Sequence, residues 1–356
     1  MTTDIYKELR SKINELSFGF PATDSEIELK ILKKLFSEED AEMWFLLTSA
    51  LETPEAFAQR TGRDLAPSAK HLHDMAERGL IYRMKKGDAV MYATIGFMHG
   101  IWEFQLSTMD IEFAELTAQY LDDPVYRKTL TSAAAGFLRP IPVQKSLDIS
   151  HNVASFEDAS EFLKQAKKIV VAECICRKNQ HLIGQGCDKP MEVCFMMGSM
   201  GQYYLDRGMG REVNVDEAIK ILAEGQEAGL VTQPATAQNP GGMCNCCGDC
   251  CGVLRALKKH PHPVEMVFSN YFAAVDPETC DGCETCLDRC QMEAIQLDDN
   301  DRAAIDLSRC IGCGLCVPTC PTGALQLVSK PEDQRRTPPP DSRGQMALIQ
   351  ELREKP

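Results

Sequence analysis

Over the first third of the chain, apolar positions recur at helical spacing. Residues 1–23 read as a helix followed by a loop at Gly19 and Pro21. Ile27, Ile31, Leu32 and Leu35 make one stripe of a helix over 25–36, and Ser25 with Glu28 has the form of a capping box. A helix is expected over 38–47. A shorter one follows, with Thr53 at its N-cap, Pro54 at its first position and Gly62 past its end. The next covers 67–78 and stops at Gly79. The period then changes: residues 80–84 and 89–94 are β-prone runs around a polar turn at 85–88, as in a hairpin. Residues 97–120 return to helical spacing, with Trp102, Phe104, Ile111, Phe113 and Leu116 as core positions. Pro140 and Pro142 mark a connector.

The middle of the chain mixes periods. A helix over 155–167 leads into the apolar run IVVAECICR, a strand that ends in a loop. A helix capped by Asn214 and Glu217 runs out at Gly229, and the polar stretch 233–242 opens onto MCNCCGDCCG. A helix over 252–259, the connector HPHP and a strand within VEMVFSNYFAAVD follow. Beyond Lys330, PEDQRRTPPPDSRG has too few apolar side chains to bury a core, so 331–356 is expected to be disordered. Within it, MALIQELREK has the pattern of a short amphipathic helix.

Cysteine is the unusual residue, with 17 in 356 positions. Eight form two matched runs: Cys280, Cys283, Cys286, Cys290 and Cys310, Cys313, Cys316, Cys320. Flanking residues repeat as well, Ala294 with Ala324 and Leu297 with Leu327. The duplicated run resembles the bacterial-type ferredoxin with two [4Fe-4S] clusters. That resemblance implies cross-ligation, since the fourth thiolate of each cubane comes from the other copy. One cluster would take Cys280, Cys283, Cys286 and Cys320, the other Cys310, Cys313, Cys316 and Cys290. Gly282, Gly312 and Gly314 suit backbone that turns closely past sulfur. Gln291 departs from the family, which has proline after the fourth cysteine of each run. Two zinc sites are the competing reading of the CxxC pairs.

The other cysteines are Cys174, Cys176, Cys187, Cys194, Cys244, Cys246, Cys247, Cys250 and Cys251. Lying in two loops joined by a helix, they point to a further metal site, an additional Fe–S cluster in preference to zinc. The adjacent pairs 246–247 and 250–251 are not expected to serve one iron set together, which leaves some of the nine as packing residues or as residues that support a ligand without binding metal.

Helices followed by a hairpin over 24–96 resemble a winged helix-turn-helix. Its recognition helix would carry Lys70, His71, His73 and Arg78, and its wing Arg83, Lys85 and Lys86. The whole reads as α+β. A winged-helix-like helical domain (1–140) precedes a cysteine-rich α/β domain (141–270), a two-cluster ferredoxin-like module (271–330) and the tail. No Walker A sequence, GxGxxG after a strand or nucleophile elbow is present. With no apolar leader at the start and clustered cysteines, a reducing, cytoplasmic setting is expected. The oxygen lability of such clusters suggests an anaerobic one. A net charge of −14 disfavours non-specific DNA binding and favours a redox partner with a basic docking face. The leading expectation is an electron-transfer protein. A redox-sensing, DNA-binding regulator and an iron–sulfur reductase or activase with its reactive centre in the middle domain are the alternatives.

Overall fold

The computed structural model describes residues 4–147 and 154–354. The first unit contains α1 (Ile5–Asn14), α2 (Ile27–Leu35), α3 (Glu38–Leu46), α4 (Pro54–Thr61) and α5 (Leu65–Glu77), then the hairpin β1 (Tyr82–Lys86) and β2 (Ala89–Ala93). The stops are those the sequence announces. Thr53 Oγ1 accepts the Ala56 N–H, Pro54 opens α4, and Gly62 ends it at φ 70°. The start of α2 differs from expectation. Glu28 turns inward and takes the Thr23 N–H (3.2 Å) and hydroxyl (2.7 Å), so Thr23 takes the place expected for Ser25.

Residues 97–120 are not one helix. A broken turn over Phe97–Ile101 and a short 3-10 turn over Glu103–Gln105 precede α6 (Ile111–Asp122), which is capped by Asp110. Gly100, at φ 158°, lets the chain bend there. α7 (Pro124–Phe137), which the apolar pattern did not announce, follows with Asp123 as N-cap. Trp102 is core, at 1 % exposure.

The middle unit is built from α8 (Ala159–Gln165), β3 (Ile169–Glu173), α9 (Ile175–Leu182), β4 (Glu192–Met197), α10 (Gly198–Asp206), β5 (Gly210–Glu212), α11 (Val215–Glu227), β6 (Val231–Pro234), β7 (Gly242–Cys246) and α12 (Gly252–Lys259). Its sheet has the order β5-β3-β4-β7-β6, and every pairing is antiparallel. The α/β character expected here therefore gives way to α+β. α9 joins the antiparallel neighbours β3 and β4, whereas α10 and α11 cross between parallel strands that are not adjacent, β4 to β5 past β3 and β5 to β6 across the sheet.

The C-terminal module pairs β8 (Tyr271–Val275) with β11 (Leu325–Ser329) and β9 (Ile295–Leu297) with β10 (Ala303–Ile305), around the short α13 (Thr285–Arg289). It is fastened to the middle unit by Arg289 Nη2 on Gln226 O (2.7 Å) and Arg309 Nη2 on Lys258 O (2.9 Å).

The tail is a correction. Asn270 exchanges hydrogen bonds with the Arg336 backbone (2.8 and 2.9 Å), and Gln238 N–H donates to Pro339 O (2.8 Å). α14 (Ser342–Glu354) then packs on α7, with Ile349 1 % exposed and Gln345 Nε2 on Phe137 O at 2.7 Å. The proline-rich stretch buries no core of its own. It acts as a strap whose backbone groups are satisfied by the body.

One apolar core runs from α1 through the first unit into β3, β4 and α10. The hairpin leans on α10 through Tyr82 and Tyr203, whose ring centroids lie 5.5 Å apart. Asp40 is buried beneath Arg78 (2.6 and 2.9 Å) and His71 (2.9 Å). Burial pushes its carboxyl up, but Arg78, His71 and Ser37 outweigh that and hold it well below the ordinary range.

Candidate metal centres

In the C-terminal module the two cysteine runs interleave. Cys280, Cys283, Cys286 and Cys320 line one pocket with Gly282, Ala303 and Leu325. Cys290 leaves its own run and joins Cys310, Cys313 and Cys316. Burial raises the pKa of Cys310, Cys313 and Cys316, that of Cys313 to about 12, and the charge of Cys290 adds to each. Cys286 is raised by burial and then by Cys280, Cys283 and Cys320.

Backbone N–H groups point at the sulfurs: Ala303 to Cys280 (3.4 Å), Ala294 to Cys290 (3.3 Å) and Ala273 to Cys310 (3.4 Å). Gly282 and Gly312 sit at φ 71° and 68°, each with a carbonyl where a Cβ would lie, Asp301 O and Tyr271 O respectively. Only glycine fits both constraints. Cys283 is the exposed member of the eight. Exposed Asp281 and Glu284 lie within two residues of it in the sequence, and exposed Asp288 follows on α13. The second quartet lies deeper, covered by the 143–146 connector through Val143 N–H on Cys313 O (3.0 Å).

A family model described as a 4Fe-4S dicluster domain matches residues 273–327, from β8 into β11. This stretch is an iron–sulfur domain. No curated protein and no solved structure matches the chain. Among the described residues, no helix is long and apolar enough to cross a membrane.

The nine remaining cysteines divide into six and three. Six close a ring in which each thiol interacts with two neighbours, in the order Cys174, Cys176, Cys251, Cys246, Cys244, Cys194 and back to Cys174. Cys174 and Cys176 come together because β3 has ended at Glu173 and α9 has begun. Cys244 and Cys246 stand two apart on β7 and so share a face. They and Cys194, on β4, sit on strands and not in the expected loops. Donation from neighbouring thiols, Cys176 first in both cases, holds Cys174 and Cys251 well below the usual thiol range. The other four are raised. The ring borders an apolar cavity lined by Met98, His99, Trp102, Glu103 and Phe137. His99 Nε2 lies 3.9 Å from Cys244 Sγ. Burial pushes the Glu103 carboxyl up to about 8, so it is neutral at pH 7.

The other three are Cys187, Cys247 and Cys250. Each adjacent pair is thus divided: Cys246 and Cys251 face the ring, Cys247 and Cys250 face away from it toward Cys187. All nine stand next to other thiols, six in the ring and three around Cys187.

The 247–250 loop also meets the C-terminal module next to Cys290. Gln291, the departure from the family, accepts the Gly248 N–H on its Oε1 at 2.7 Å. A Cβ on Gly248 would come within 2.6 Å of Gln291 O, which is backbone and cannot yield cheaply. Gly248→Ala is therefore expected to lower stability by about 1–3 kcal/mol, measured as a drop in Tm. An unchanged Tm would mean that the two loops do not meet as described.

Neither His260 nor His262, in the HPHP run, joins a thiol set. His260 Nδ1 instead accepts the His262 N–H at 3.1 Å. On the suggested DNA-reading surface, Arg78 is paired with Asp40, and Arg83 with Glu77 and Asp206.

Proposed function

We propose that the protein transfers single electrons through several iron–sulfur clusters. Cys280, Cys283, Cys286 and Cys320 hold one [4Fe-4S] cluster, and Cys310, Cys313, Cys316 and Cys290 a second. Thiolates of the six-cysteine ring hold a further iron–sulfur cluster. When bound, such clusters accept and release one electron at a time at iron while the thiolates keep them in place. The observation that carries the reading is the crossed assembly of the two quartets within an apolar core that also contains Cys246 and Cys251. That continuity supports a relay with the ring at its inner end and the exposed Cys283 edge at its outer end.

The acidic residues around Cys283 suit a partner oxidoreductase with a basic face, which would be steered there by charge. The backbone N–H groups aimed at sulfur stabilise added negative charge and so raise the reduction potential above that of bare thiolate ligation. The reading of the middle unit as a reductase or activase centre draws on the cavity beside the ring. DNA recognition draws on less, since Arg78 and Arg83 are engaged internally.

The test is an anaerobic reductive titration of the full chain. The two C-terminal clusters account for about two electrons per chain. Uptake of more than two is expected, and two or fewer would contradict the relay.

A further inference from the structure

We infer that Cys187, Cys247 and Cys250 form a separate mononuclear site that binds a zinc ion through three thiolates and leaves its fourth position open. This site is independent of the electron-transfer reading and uses none of the ring or ferredoxin cysteines.

Spacing is the first observation. Cys187 Sγ lies 3.6 Å from Cys247 Sγ and 3.7 Å from Cys250 Sγ, and all three sulfurs fall within 4.8 Å of one another. Zn–S bonds of about 2.3 Å in a tetrahedron place sulfurs about 3.8 Å apart. A cubane gives each thiolate its own iron and so holds the sulfurs farther apart. The same chain carries both patterns. Among the described residues, this triad is the group of three or more such ligand atoms drawn within 4.8 Å, and neither ferredoxin quartet qualifies.

Charge is the second. Arg177 is fully buried, and its Nε has no partner. Its Nη1 donates to Pro190 O, and its Nη2 lies 3.4 Å from Asn245 O and 3.8 Å from Cys247 Sγ. None of the ion pairs found among the described residues involves it. A guanidinium is always charged, and burying it without an anion costs several kcal/mol. Three thiolates around a divalent cation carry one negative charge, and Arg177 makes the set neutral.

The two loops that supply the ligands are held without the metal. Lys189 Nζ reaches Asp249 Oδ2 at 3.5 Å, Arg177 spans from Pro190 to Cys247, and Gln291 fixes Gly248. The site is therefore largely formed in advance. No fourth thiol, imidazole or carboxylate joins the three among the described residues. His181 Nε2, the nearby candidate, is engaged with Cys187 O at 2.8 Å. Cys187 is half-buried, which leaves the fourth position to water on that side.

The experiment measures zinc and iron together in full-length protein purified anaerobically with zinc supplied, with zinc-edge X-ray absorption on the same sample. One zinc per chain with three sulfur neighbours at about 2.3 Å is expected. Cys187→Ser and Cys250→Ser should each lower zinc affinity at least tenfold and leave the iron content and visible absorption unchanged. Two results would overturn the proposal: absence of bound zinc in the wild type, or a loss of about four irons on Cys187→Ser, which would place these thiols on a cubane. The wild-type absorption measurement stands even if the variants fold poorly. A wrong count of electrons or irons with zinc present would sink the relay and leave this site intact.

Discussion

Cys246→Ser is expected to remove the middle cluster while both C-terminal clusters survive. Cys246 is buried, at 4 % exposure, and sits in the ring between Cys244 and Cys251. A serine hydroxyl does not ionise at neutral pH and is a poor ligand for iron, which prefers thiolate. The ring is closed, so one missing thiolate opens it. The ferredoxin quartets take no ligand from it. Iron per chain should fall to about eight atoms, with the fold retained by circular dichroism. Iron unchanged from wild type would mean that no cluster depends on Cys246. Loss of all the iron would mean that the middle cluster and the ferredoxin module do not assemble separately.

The second large effect concerns crossed ligation and is read from pairs of substitutions. Cys290→Ser with Cys310→Ser strikes one quartet twice and should cost about four irons. Cys290→Ser with Cys283→Ser strikes both quartets and should cost about eight. If each run ligated its own cluster, the two outcomes would be exchanged. The expected order follows from the charges that the thiols exert on one another. Cys290 acts on Cys310, Cys313 and Cys316, although Cys286 also acts on Cys316, and Cys280, Cys283, Cys286 and Cys320 line one pocket.

The ferredoxin module was legible because its chemistry is local. Each run of three cysteines two residues apart wraps its own loop, and the duplication repeats the pattern. The α4 stops, the hairpin and the Asn214 cap were legible for the same reason: they depend on residues within four positions of each other. What the sequence did not reveal depends on distant partners. The division of nine cysteines into six and three requires β4 to pair with β7 and the 187 loop to meet the 247–250 loop, contacts that span about fifty to sixty residues. The adjacent cysteines were a usable signal, since neighbours that cannot share one iron set imply two sets. The tail was misread because composition measures what a segment can bury by itself. Ile349 is buried against α7, more than two hundred residues earlier. Gln291 looked like a weakened motif until Gly248 supplied its partner.

The central claim is that the C-terminal clusters feed a further iron–sulfur centre in the six-thiol ring. The most direct test is iron content together with EPR of the dithionite-reduced, anaerobically purified full chain. More than eight irons per chain is predicted, with a third signal beside the two interacting cubane signals. About eight irons and two cubane signals alone, in fully loaded protein, would contradict it.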